Sequence, residues 1–99
     1  MRPIHIAQLD KARPVVVLTR ELVRPYLNVV TVAPITTTIR GLSTEVRVDR
    51  NNGLASPSVI SCDNITTIAR DDLGQQIGAL FESQERSLSA AIRAAFDLD

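Results

Sequence analysis

The feature that most constrains this chain is a proline set into a β-branched run. Val29-Val30-Thr31-Val32 is strand composition, because branched side chains fit a pleated, half-buried surface. Pro34 then removes a backbone donor, which predicts an edge position or the approach of the strand's end. Thr36, Thr37 and Thr38 follow at once, and after them Arg40 and Gly41. A stiff strand thus delivers hydroxyls, a cation and a hinge to one loop, the way polar sites are commonly mounted on a scaffold. The same residues also read as a Thr-rich strand that simply runs to a glycine turn.

Further short strands surround this one. Residues 3–9 alternate Ile4 and Ile6 against His5 and Ala7, which predicts a half-buried strand with His5 on the solvated or interface side. Asp10-Lys11-Ala12 is a tight polar turn. Residues 13–19, RPVVVLT, carry a continuous apolar run and should be buried on both faces. Arg13 then projects from the mouth of that strand. Residues 20–27 are a connector with one helical turn that Pro25 stops. Residues 43–49 alternate with Val46 and Val48 inward, and Asn51-Asn52-Gly53 signals a turn. Residues 57–62 and 64–69 form two more strands, kinked apart at Asp63, and QQIGAL is a last extended piece. Ser83 is the expected N-cap of a closing helix, with Glu85 complementing its dipole. Leu88, Ala91, Ile92, Ala95 and Phe96 recur at helical spacing as one apolar stripe. The expected architecture is mainly β, a small, strongly bent sheet or barrel capped by one C-terminal helix. Ninety-nine residues without repeat or linker predict a single domain over 1–99.

Composition excludes several classes of function. A net charge of zero gives no global field toward nucleic acid or membrane. Ten of the eleven cations are Arg and only Lys11 is Lys, a bias that suits bidentate phosphate contacts and that a GC-rich coding sequence would produce equally. One Cys and one His cannot assemble a typical zinc site, so no metal and no cofactor are expected. No stretch approaches a membrane span and the first residues lack the apolar core of a signal peptide, so the expected location is the cytoplasm. Neither GxGxxG nor GxxxxGK[ST] occurs. Cys62, read as mid-strand, is a small core residue rather than a nucleophile. What remains is Arg13, Thr36, Arg40 and Asp63 at strand ends. Such a set could bind an anion. It could also catalyse a reaction whose nucleophile comes from the substrate, such as RNA cleavage by the ribose 2′-OH.

Three ordered motifs carry a family resemblance: ARPVVVL at 12–18, VVTVAPITTTIRGLSTEV at 29–46 and NGLASPSVISCDNITTI at 52–68. Together they resemble the MazF/PemK-type toxin endoribonucleases, also called mRNA interferases. The resemblance implies an SH3-like barrel, a homodimer, a MazE-like antitoxin partner and metal-independent cleavage of single-stranded RNA. It implies Arg13, Thr36 and Asp63 as catalytic residues, the last by match to an acidic residue directly after a Cys. Lys11, Thr37, Thr38, Arg40 and Asn64 are the expected RNA contacts. The chain departs from the family in three places: the long loop between the first two strands is reduced to Asp10-Lys11-Ala12, and Ser61 and Thr66 stand where arginines are common.

Two other classes stay open. One is a non-enzymatic toxin similar to the CcdB gyrase inhibitors, which act through the end of the C-terminal helix, including a Trp; this chain has no Trp and ends FDLD. The other is a barrel that binds without catalysis. The retained Arg13 and Thr36 favour the enzyme.

Overall fold

A computed structural model describes residues 1–99 as seven strands followed by one α-helix. The strands are β1 (Pro3–Gln8), β2 (Ala12–Val17), β3 (Val29–Thr36), β4 (Glu45–Val48), β5 (Ser58–Ser61), β6 (Thr66–Ala69) and β7 (Leu73–Ala79), and the helix is α1 (Glu82–Ala95). All pairings are antiparallel, in the order β4-β5-β3-β2-β1-β7, with β6 also on β3. This is the expected mainly β class with a closing helix.

β3 is the hub, and Pro34 explains how one strand serves three partners. β3 pairs with β6 through Val29–Val32 and with β5 from Ile35 onward, while β2 lies along its other side. Thr31 directs its N–H to Thr19 Oγ1 and accepts from the Leu18 N–H, both on the β2 side. By alternation, the nitrogen of Pro34 faces the opposite side, where β6 has ended and β5 has not begun. The missing donor costs no ladder bond there. Pro34 is therefore not on an edge strand; it lies close to the strand's end, the other position the sequence suggested, with β3 stopping two residues beyond it at Thr36.

Burial on both faces of β2 is as expected. Val16 joins Ile4, Ala33, Ile35, Ile60 and Leu80 in the larger core, which α1 covers with Leu88 and Ala91. Val15 and Val17 face the other way, into a smaller core with Ala7, Val30 and Val32, covered by Leu9, Ile68 and Leu73. The two sheet edges meet without strand pairing. Gly78 of β7 lies against Asn52 and Gly53 in the turn after β4, so close that a Cβ on either glycine would collide with the facing backbone. Asn52 itself is buried, exchanging two hydrogen bonds with the Gln84 side chain and donating to the Ala79 carbonyl. That fixes the helix to the seam.

Five local expectations are corrected. His5 is buried rather than solvated, because two register shifts in β7 fold that strand over its face; Nδ1 lies 2.8 Å from the Gly74 carbonyl. Pro25 lies inside the 3₁₀ turn Arg24–Tyr26, in its first residues, instead of ending it. The helix begins two residues earlier than Ser83 suggests, with Phe81 as N-cap and its N–H bonded to Gln84 Oε1. Phe96 follows the helix and is 55% exposed, leaving the apolar stripe at Ala95. Cys62 belongs to the 3₁₀ turn Cys62–Asn64 after β5, not to mid-strand, and is buried as expected.

Candidate RNA-cleavage site

Strand pairing decides which polar residues can meet. Directly paired residues share a sheet face, so Arg13 at the start of β2, Pro34 and Thr36 on β3 and Thr66 on β6 all open toward the same side. There they line a cleft of about 1010 Å³. Arg13, Thr36, Thr38, Arg40, Asp63 and Asn64 all border it, so six of the eight sequence-predicted residues come together from segments far apart in the chain. Lys11, exposed in the β1–β2 turn, and Thr37, exposed after β3, are not among the lining residues. Ser61 and Thr66, which replace common family arginines, do border the cleft.

Each functional side chain has a local reason for its position. Arg13 donates through Nε to Asp10 Oδ1 at 2.8 Å and through Nη2 to Asp10 Oδ2 at 3.0 Å. Asp10 also accepts from the Lys11 N–H, so the short β1–β2 turn builds the holder for the arginine. The guanidinium bonds hold the Asp10 carboxyl down at about 2, and Asp10 in turn stabilises the charged form of Arg13. Two donors of Arg13 are thus occupied, and three of its five remain for a ligand. Thr36 Oγ1 accepts from the Thr38 N–H at 3.1 Å, which keeps its own O–H available. Asp63 Oδ2 accepts from Thr44 Oγ1 at 2.6 Å. Asn64 donates to Ser61 Oγ.

The loop bearing Arg40 is organised by a residue that sequence reading passed over. Glu45 receives the backbone N–H groups of Arg40, Gly41 and Leu42, a carboxylate seated in a nest of amides. Gly41 supplies the positive φ of 76° that this turn needs. The spacing of Glu45 from Gly41 could have signalled this, but an isolated Glu in an alternating strand reads as a solvent-facing residue. Asp10 was missed for the same reason: it looks like turn chemistry until its register with Arg13 is known.

The neighbouring thiol takes no part. Burial pushes the Cys62 thiol up to about 11, with the Asp63 charge adding to it, so no useful thiolate forms near neutral pH. The cleft can therefore hold a phosphate with Arg13 and a hydroxyl with Thr36, and can accept a proton at Asp63.

Comparison with known proteins agrees with this fold. The sequence pattern of "PemK-like, MazF-like toxin of type II toxin-antitoxin system" matches residues 3–96. The chain is 71% identical over all 99 residues to Endoribonuclease MazF3 of Mycobacterium tuberculosis, covering 96% of that protein. The solved structure of Mycobacterium tuberculosis toxin MazF-mt6 superimposes with a TM-score of 0.97 at 70% identity, over 99% of each chain. A mycobacterial endoribonuclease solved in complex with its cognate antitoxin shares the fold at 22% identity, with a TM-score of 0.87 over 98% of this chain and 93% of that one. Fold and sequence agree in one assignment: the chain belongs to the PemK-like, MazF-like toxins of type II toxin–antitoxin systems.

Proposed function

We propose that this toxin is an endoribonuclease that cuts single-stranded RNA by attack of the 2′-OH on the adjacent phosphorus. The observation that carries the reading is the convergence of Arg13, Thr36 and Asp63 on one cleft from three separate segments. Arg13, pre-oriented by Asp10, offers its free donors to the scissile phosphate and stabilises the charge added in the pentacoordinate transition state. Thr36 donates its hydroxyl to another phosphate oxygen. Neither residue can act as a base near neutral pH. Asp63 removes the 2′ proton with the oxygen that Thr44 leaves free. The P–O5′ bond breaks as the 2′-oxygen bonds to phosphorus, the departing 5′-oxygen takes a proton from water, and the products are a 2′,3′-cyclic phosphate, or the 3′-phosphate from its hydrolysis, and a 5′-hydroxyl. Because the substrate supplies the nucleophile, no cofactor enters the scheme. Thr38, Arg40 and Asn64 contact flanking phosphates or bases from the cleft walls, and Lys11 and Thr37 do so only at its rim.

The whole span 1–99 acts as one toxin domain, as a homodimer in the cytoplasm. β6 pairs only with β3 and carries no charge from Thr66 to Ala69, so its outer edge is open for a partner strand. A MazE-like antitoxin covers the cleft with an extended anionic segment that takes the phosphate positions. The neighbour solved with its cognate antitoxin supports the partner class. No helix is long and apolar enough to cross a membrane.

The test is purified protein incubated with single-stranded RNA in EDTA, followed by mapping of the new 5′ ends. Cleavage should persist in EDTA, leave 5′-hydroxyls and stop when the cut-site ribose is 2′-deoxy. Cleavage of the 2′-deoxy substrate would refute the mechanism.

A further inference from the structure

The cleft holds more negative charge than a polyanion favours. Arg13 and Arg40 share it with four carboxylates, Asp10, Glu45, Asp63 and Asp72. A carboxylate on the path of RNA repels phosphate, so each of the four calls for a reason to be there. Three have a reason inside the fold. Asp10 holds Arg13, Glu45 gathers the amides of Arg40, Gly41 and Leu42, and Asp63 accepts from Thr44. Asp72 has none. It ends the 3₁₀ turn Arg70–Asp72, is exposed, makes no side-chain hydrogen bond and belongs to neither ion pair of the chain, Arg13–Asp10 or Arg86–Glu82.

Strand register brings this free carboxylate close to the chemistry. Ala7 pairs with Arg13 on one side and with Leu73 on the other. Arg13 and Leu73 are therefore two strand spacings apart, about 10 Å, and Asp72 is the residue before Leu73. Gln8, Leu9 and Asp10, which follow Ala7, border the same cleft as Arg13 and Asp72. A separation of about 10 Å is roughly three nucleotides of a stacked strand and fewer of an unstacked one. A strand whose scissile phosphate sits at Arg13 thus brings a nucleotide from its immediate flank to Asp72.

We infer that Asp72 is a specificity-determining residue, which accepts a hydrogen bond from the exocyclic amino group of one base beside the cut and rejects uracil there. The inference rests on the nuclease reading of the cleft. An ionised carboxylate only accepts hydrogen bonds. Cytosine, adenine and guanine each carry an amino donor, at N4, N6 and N2. Uracil carries carbonyl oxygens instead, and its single ring N–H lies between them, so a carboxylate that approaches it meets like partial charge. Selection then comes from repulsion as much as from attraction. The same charge lowers affinity for phosphate, a loss that is offset only if the residue discriminates between sequences.

The experiment gives a random-sequence RNA library to the wild type and to Asp72→Asn, and sequences the new ends. Base preference is read at about three positions on either side of the cut, the reach set by the separation of Asp72 from Arg13. The wild type should disfavour uracil about tenfold at one of these positions, and the ends show which amino-bearing base it takes. Asp72→Asn has the same shape, but its amide can also donate to a carbonyl oxygen. It should reduce the bias to under about threefold at that position alone, and cut a substrate with uracil there faster than the wild type does. Thermal melting should match the wild type. If the wild type cuts no RNA, the nuclease reading fails, and this one with it. If the wild type shows no bias against uracil at these positions, or Asp72→Asn keeps the wild-type profile, the role of Asp72 is refuted while the nuclease reading stands. A variant that cuts every sequence faster by one common factor shows only a repulsive surface charge, which also overturns the inference.

Discussion

Arg13 and Asp10 stand fork to fork, with Nε to Oδ1 at 2.8 Å and Nη2 to Oδ2 at 3.0 Å. The pair orients the guanidinium before any substrate arrives, so its rotamer entropy is already lost in the free protein. Arg13→Ala should lower kcat by about 10²–10³, the range for removing one donor to developing charge. Asp10→Asn should fall less, about tenfold, and in kcat rather than KM, because the donors stay while their aim is loosened. Single-turnover cleavage of one RNA substrate separates the two; full activity in Arg13→Ala would sink the assignment of the cleft.

The same pair sets a pH signature. Asp10 has its carboxyl lowered to about 2, so its contribution to stability is present above its ordinary value of 3.8 and is lost as the pH falls through about 2. Between pH 5 and 9 Asp10 therefore adds no inflection to activity or stability. Carboxyl NMR should show the Asp10 midpoint near 2 in the wild type and near 3.9 in Arg13→Ala. An unchanged midpoint would mean that Arg13 is not its partner in solution.

Thr36 and Asp63 are expected to fail in different ways. Thr36→Ala should lose about 10²–10³ in rate and Thr36→Ser should restore most of it, since only the hydroxyl is used. Asp63→Asn keeps an acceptor for Thr44 but removes the base, which should cost about 10²–10⁴. A loss under roughly tenfold in Asp63→Asn would remove it from the role of base.

Cys62 should be chemically silent in the folded protein. With its thiol pushed up to about 11 by burial, labelling by iodoacetamide at pH 8 should be slow, and fast after unfolding. Cys62→Ser places a hydroxyl in the core and should destabilise by about 1–3 kcal/mol while leaving the cleavage products unchanged. Rapid native labelling would contradict the packing described for the β5 end.

Gly53→Ala should be strongly damaging although it lies outside the cleft. The position has φ of 93°, and an added Cβ would fall 2.0 Å from the Ile77 carbonyl oxygen. Strain and collision together should cost at least about 3 kcal/mol, a drop of more than about 10 °C in Tm for a chain of this size. A melt within a few degrees of the wild type would show that the seam tolerates opening.

The strands were legible because their side chains are. Val15-Val16-Val17 reads as buried on both faces, and the two cores confirm it; Val46 and Val48 alternate and point inward. Arg13 and Thr36 could be found because each sits at the end of a readable strand. The failures lie where partners are distant in sequence. His5 is covered by a strand some seventy residues away, whose bulges no local pattern announces. Pro34 reads correctly as lying near the end of β3, but that β6 and β5 exchange places beside it is not visible in the sequence. Asp10 and Glu45 act through geometry, not through type, and so look like ordinary turn and surface residues.

The pairing of β1 with β7 joins Pro3 to Ala79, nearly the two ends of the sheet in the order of synthesis. At about 5–20 residues per second, a ribosome needs roughly 4–15 s between making one partner and the other. The β1–β2 hairpin that carries Asp10 and Arg13 can form early, but the strand that covers His5 and Leu73's side of the smaller core arrives last. A growing chain thus lacks a finished barrel until translation is almost complete. The delay is a timing property of the topology: the smaller core is closed only once β7 has been made.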